Sequence, residues 1–400
     1  MALQSGTEII DAEEECKAEQ KRISEKPIRR GTVALILVIC VIAALVIILT
    51  NNKEAADPIE DGKNAETTVV LTEPEDCEDS TEKVNESDYL SAQALLDEGK
   101  IAEAAIAFGK CGDYKDAKEK SLELWDEISV RETVSAGVSY TLGLKADGTV
   151  VAVGYNEYGE CNVEGWTDIV AVSAGNFHSV ALKSDGTVVA VGDNHKEQCN
   201  VEDWTDIVAI SAGDIHTLGL RSDGTVVAAG YNYKELCEVN NWTDIIAVSA
   251  GDCHSAGLKS DGTVVAVGDN SLEACNVEDW TDIVAISAGD RYTVGIKSDG
   301  TVVSVGCNTH GQGDVKGWTD IVAASPWRNH TVGLKSDGTV VVAGSNSYGQ
   351  CDVGAWTDII AVSTASDHTV GLKSDGTVVV VGSNTYGQCD AEGWTDIKLP

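Results

Sequence analysis

Residues 359–396 read IIAVSTASDHTVGLKSDGTVVVVGSNTYGQCDAEGWTD, and they hold three apolar stretches of strand length. The first ends near Ser363, the second runs from His368 to Lys373-Ser374-Asp375-Gly376, and the third is the valine run before Gly382. Asp-Gly between two β-rich runs predicts a type I′ hairpin, in which both central residues take positive φ. Asp-Gly-Thr recurs from Asp147, Asp185, Asp223, Asp261, Asp299, Asp337 and Asp375, always 38 residues apart. Trp-Thr-Asp-Ile recurs from Trp166, Trp204, Trp242, Trp280, Trp318, Trp356 and Trp394 at the same spacing. Each unit is expected to form an antiparallel sheet of three strands, with a short fourth at Cys-x-Val. One such sheet cannot stand alone, whereas seven packed radially bury both faces and leave only short edges. The fold class is therefore an all-β seven-bladed propeller over residues 128–400.

The pattern S-A-G-x-x-H-[TS]-[VL]-G-L-K-S-D-G-T-V-V-A-V-G-x-N-x-Y-G-Q-C resembles the RCC1 repeat. It is also similar to the shorter-repeat bacterial members, among them secreted β-lactamase inhibitor propellers. The likeness spans Val134 to Trp394, about two-thirds of the chain. It implies a seven-bladed ring and, as an alternative function, guanine-nucleotide exchange of the RCC1 type. That activity is expected to need an inserted wedge, for which the unbroken spacing leaves no room.

The repeat accounts for residues that otherwise look catalytic. His178, His216, His254, His330 and His368 share one position, with Tyr140 and Tyr292 in the other two copies. Equivalent sites around a ring cannot converge on one metal, so these read as buried side chains bonded to neighbouring backbone. Cys161, Cys199, Cys237, Cys275, Cys351 and Cys389 are repeat-locked too, with Gly313 in the missing place, and read as small core residues. Cys253 and Cys307, in adjacent blades, could pair. No nucleophile constellation or phosphate loop stands apart from the repeat. The chain is read as a non-enzyme with no cofactor and no metal. Its net charge of −37 disfavours nucleic acid as a partner.

Upstream of the propeller the composition changes sharply. Thr32 to Thr50 is 19 residues without a charge, long enough as a helix to cross roughly 30 Å of hydrocarbon. Lys21, Arg22, Lys26, Arg29 and Arg30 precede it, and acids dominate after it. The positive-inside rule then places a cytoplasmic tail at 1–31, a transmembrane helix at 32–50 and the rest of the chain outside the cell membrane. Residues 51–88 hold 13 acidic and 3 basic side chains and are expected to be a disordered spacer. Residues 89–127 show helical periodicity resembling one tetratricopeptide unit, read as a short neck docked on the propeller.

Antiparallel strands send the loop after Ser-Ala-Gly and the loop after the third strand to one face. Nearly all variation among the copies lies there. The expected binding residues are Trp327, Arg328, Arg291, Phe177, Ile215, Tyr155, Tyr233, His195 and His310, because aromatic and arginine side chains dominate interface energetics. Trp327 is expected to anchor a partner, an extracellular protein or glycan, whose acidic group reaches both Arg291 and Arg328. Oligomeric state is not legible.

Overall fold

The computed structural model describes residues 77–128 and 131–400. The tail, the apolar segment 32–50 and the spacer up to residue 76 lie outside those residues. Among the described helices none is long and apolar enough to cross a membrane.

Among the described residues three helices come first, α1 (Cys77–Asp97), α2 (Ile101–Lys110) and α3 (Ala117–Ile128). The start of α1 corrects the expected spacer boundary, because residues 77–88 are helical. Glutamate is a good helix former, and α1 is anchored further along where Ala92 is fully buried. The neck is fastened to the propeller by an apolar cluster joining Ala104, Ala105, Phe108 and Trp125 to Leu218, Leu220 and Trp242. Trp125 is fully buried, and its indole Nε1 donates to Ser222 O at 2.8 Å. Gly109 is a position of close approach, since a Cβ there would lie 2.3 Å from Ser222 O. At its margin Lys118 pairs with Asp206 at 2.8 Å and Lys110 with Asp244 at 3.2 Å.

Seven antiparallel sheets follow, each of three strands in sequence order. Blade one is Val134–Ala136, Tyr140–Leu144 and Val150–Gly154. The other six begin at Ile169, Ile207, Ile245, Ile283, Ile321 and Ile359. No fourth strand forms at Cys-x-Val. The valine of that triplet is instead buried beneath the exit loop, as at Val163, Val201 and Val277.

The hairpin turns differ from the type I′ expectation. Gly148 has φ 81°, whereas Asp147 is absent from the left-handed region. Lys145 N donates to Thr149 O at 2.8 Å and Gly148 N to Lys145 O at 3.0 Å, the arrangement of a three-residue loop closed by a glycine bulge. Asp147 Oδ1 accepts from Thr149 N at 3.0 Å and from its hydroxyl at 2.6 Å, so the aspartate is held by its side chain. The left-handed aspartates are those of Trp-Thr-Asp, from Asp168 at φ 60° to Asp396 at φ 61°.

Two sets of side-chain bonds tie neighbouring blades. The hydroxyl of Thr217 donates to Gln198 O at 2.7 Å and lies 2.9 Å from His178 Nε2. A hydroxyl has one proton to give, so it accepts from the imidazole, and His178 is the Nε2–H tautomer. The same relay joins His216 to Ser255, His254 to Thr293, His330 to Thr369 and, across the seam, His368 to Thr141. Tyr140 and Tyr292 continue it to Ser179 and Thr331. The histidines are buried as expected, but their partner is a hydroxyl of the next blade rather than backbone. Their Nδ1 atoms are buried without a partner, and burial depresses all five, to about 3 for His216 and His368 and about 4 for the others. The second set runs from the strand-end serines, as in Ala174 N to Ser135 Oγ at 3.0 Å. It skips the step from blade five to blade six, where Pro326 has no N–H to give.

The chain closes on itself at blade one. Ile397 pairs with Lys145, Lys398 N donates to Leu144 O at 2.8 Å, and Ala146 N to Asp396 O at 2.9 Å. Ile397 thereby fills in blade one the register that Ile169 holds against Lys183 in blade two. It is buried among Val134, Ala136 and Leu372, whereas Leu399 is 45% exposed.

Candidate functional site

The Asp-Gly turns and the loops after Ser-Ala-Gly lie at opposite ends of every blade, because each hairpin reverses the chain. The neck contacts Ser222, Asp206 and Asp244, all at the turn end. Its helices therefore cover part of the turn face and leave the loop rim open.

On that rim the structure gathers four aromatic side chains from three blades. Tyr386 meets Tyr155 edge-on at 5.2 Å between ring centroids, Tyr155 lies 6.3 Å from Tyr158, and Tyr158 lies 5.3 Å from Phe177. Tyr158 and Tyr386 are 47% and 55% exposed. Phe177 and Tyr155 are half-buried, which holds the strip in place from below. The Tyr155 hydroxyl donates to Glu157 at 2.8 Å. A second, smaller group stacks Tyr231 on Tyr233 at 6.2 Å, with Lys196 over the Tyr231 ring.

Local loop structure explains why these rings project. Asn156 Oδ1 accepts from Cys161 N at 2.8 Å, and its amide donates to Asn162 at 3.0 Å. The Cys161 thiol caps Tyr155 O at 3.2 Å. The same thiol cap recurs at Cys199, Cys351 and Cys389. Of the repeat-locked cysteines only Cys275 is buried, and Cys161, Cys199, Cys351 and Cys389 act as loop fasteners rather than core. Burial pushes the Cys161 and Cys199 thiols up to about 12. The nine cysteines from Cys111 to Cys389 are free, Cys253 and Cys307 included, and that pairing does not form.

Beneath the exit loops, Gln198 Oε1 accepts from Lys196 N at 2.9 Å, and Gln312, Gln350 and Gln388 repeat the contact. Glu160 takes this place below the aromatic strip, accepting from Tyr158 N at 3.0 Å. It is fully buried, its Oε1 has no partner, and burial raises its pKa.

The arginine pair is arranged differently from the sequence expectation. Arg328 Nη2 donates to Asp252 Oδ2 at 3.1 Å, and its Nε lies 3.4 Å from Asp290 Oδ2. Asp290 Oδ1 is also 3.6 Å from Arg291 Nε. The acidic group expected from a partner is thus supplied internally, by Asp290 between the two arginines. The sequence rule missed this because Asp252 comes from two blades away and meets Arg328 only where the loops converge. Asp252 is raised to about 7, by burial first and by Asp290 and Asp214 next.

Trp327 is half-buried and packs against the cluster of Val134, Ala136 and Ala365, its Nε1 3.4 Å from Ser366 Oγ. Of the remaining expected residues, Ile215 is half-buried and Tyr233 exposed. His195 is exposed and bonded to Asp193, and His310 Nδ1 lies 3.0 Å from Thr309 Oγ1. Tyr155 and Phe177 are therefore brought together, whereas Trp327, Arg328 and Arg291 belong to another sector. Tyr158 and Tyr386 complete the strip.

The repeat units match the regulator of chromosome condensation (RCC1) repeat at residues 132–160, 169–198, 207–234, 245–272, 283–312, 327–350 and 359–388. No curated protein sequence matches the chain. Among solved structures, the CRINKLY WD40 ectodomain of the Arabidopsis thaliana receptor kinase ACR4 is similar at TM-score 0.55 and 21% identity, over 65% of this chain and 97% of that one. The ectodomain of the Physcomitrella patens receptor kinase CR4 follows at 0.52 and 20%, over 62% and 72%. Prp20p of Saccharomyces cerevisiae, studied for its binding to Gsp1p and histones, is similar at 0.50 and 16%, over 68% and 86%. At these identities the likeness is one of fold.

Proposed function

We propose, from the premise that this chain carries seven RCC1 repeats forming an RCC1-like propeller, that it is a membrane-anchored binding module. The propeller stands outside the membrane and recognises a protein or glycan through its loop rim. The observation that carries this reading is the aromatic strip Tyr386-Tyr155-Tyr158-Phe177, which crosses three blades on the face away from the neck. Exposed aromatics fixed by their own loops offer apolar area at little entropic cost. Nucleotide exchange, the alternative, has no inserted wedge to work with, since the repeat spacing never varies.

Affinity capture with the whole chain supplies the ligand for the test. Tyr158→Ala and Phe177→Ala should each weaken its binding about 30-fold, on the order of 2 kcal/mol for a hot-spot side chain. Thr339→Ala, beside an Asp-Gly turn, should change it little. The opposite ranking moves the site to the turn face. Protease added to intact cells should cut between residues 51 and 76 and release the propeller; protection until lysis would refute the proposed orientation.

A further inference from the structure

The first position after Ser-Ala-Gly is occupied, around the ring, by Val138, Asn176, Asp214, Asp252, Asp290, Arg328 and Ser366. Three carboxylates there face one guanidinium. Arg328 is spent on Asp252 and Asp290. Among the described residues no lysine or arginine lies within ion-pair distance of Asp214. Next to Asp214 stands Asn176, which is 4% exposed and whose Oδ1 is buried with no hydrogen-bond partner. A buried amide oxygen without a donor is costly. The side-chain amide of Asn176 bonds Asp214, and the Arg328 charge acts on that carboxylate only from beyond ion-pair distance.

We infer that Asp214 and Asn176 receive the ammonium group of a lysine side chain from a basic segment of the partner. This rests on the rim being the binding face. An ammonium is compact and carries three donors, enough to satisfy the amide oxygen and the carboxylate together. A metal ion fits less well, because no group of three His, Cys, Asp or Glu among the described residues is placed to hold one. The aromatic strip leads to this point. Phe177 follows Asn176 directly and packs on Tyr158, so a segment lying on the strip brings a side chain to the mouth. The strongly acidic chain, at net charge −37, favours a basic partner by long-range attraction.

The test uses a fluorescein-labelled decapeptide of alternating lysine and glycine, and the same peptide with every lysine acetylated, titrated by anisotropy against the whole chain. The lysine peptide should bind at least tenfold more tightly than the acetylated one. Asp214→Asn should remove at least tenfold of that binding, whereas Glu202→Gln, an exposed carboxylate outside the mouth, should leave it unchanged. Equal loss in both variants would mean diffuse attraction and overturn the site. If Asp214→Asn binds normally while Tyr158→Ala does not, the lysine site fails and the rim reading stands. If neither variant weakens binding, or both peptides bind alike, the lysine site fails, and the capture experiment decides the rim by itself. A thermal midpoint within 2–3 °C of the parent, an order-of-magnitude tolerance equivalent to about 1 kcal/mol, shows that Asp214→Asn remains folded.

Discussion

The C-terminal segment closes the ring with one apolar side chain and a few backbone bonds, so Ile397→Ala should show how much the ring depends on its seam. Ile397 is 3% exposed, close to the 2% of Ile169, its counterpart in blade two. Truncating a buried isoleucine to alanine removes its transfer free energy and leaves a cavity, about 3 kcal/mol within a range of roughly 2 to 5. At roughly 3 °C per kcal/mol for a domain of this size, the thermal midpoint should fall by about 9 °C. Deleting 394–400 should lower it further. That deletion also removes the Lys398–Leu144 and Asp396–Ala146 backbone bonds and the Trp394 ring, which packs where Gly143 leaves room for it. Leu399→Ala is the control, since that side chain is largely exposed, and it should leave the midpoint unchanged. Tryptophan fluorescence on the purified chain reads all three. Ile397→Ala melting with the parent, or Leu399→Ala melting as low as Ile397→Ala, would refute closure through this register.

The five ring histidines are neutral in the native state, whereas in the unfolded chain each takes up a second proton near pH 6.5. Their contribution is complete above that pH and drains as pH falls toward about 3 to 4, where the native rings titrate. Each costs about 1.4 kcal/mol per pH unit across that window. His254→Tyr, copying Tyr140 and Tyr292, should flatten the stability–pH slope by one proton, and an unaltered slope would count against the neutral relay. Glu160 works in the other direction, because burial raises its pKa and its stability cost appears as pH rises past the ordinary carboxylate range. Glu160→Gln should therefore stabilise the chain by about 1 to 3 kcal/mol at pH 7 and lose that advantage near pH 4. A gain that does not vary with pH would show that the charge is not the cause.

The ring was legible in the sequence because a propeller is a local device repeated. Hairpin contacts lie within a few residues of each other, and seven copies at one spacing leave a single way to bury both faces of every sheet. The same repetition separated structural histidines and cysteines from catalytic ones. The turn class was misread because Asp-Gly carries two solutions, and the side chain of Asp147 bonding Thr149 selects the one that needs a single left-handed residue. The candidate site was legible only as a face. Which rim residues meet depends on contacts between units far apart in the chain. Tyr155 and Tyr386 touch because the first and last blades are neighbours, and Arg328 reaches Asp252 because loops two blades apart converge at the mouth. Local pattern determined the blades, whereas closure of the ring determined the aromatic strip and the pairing of Arg328 with Asp252.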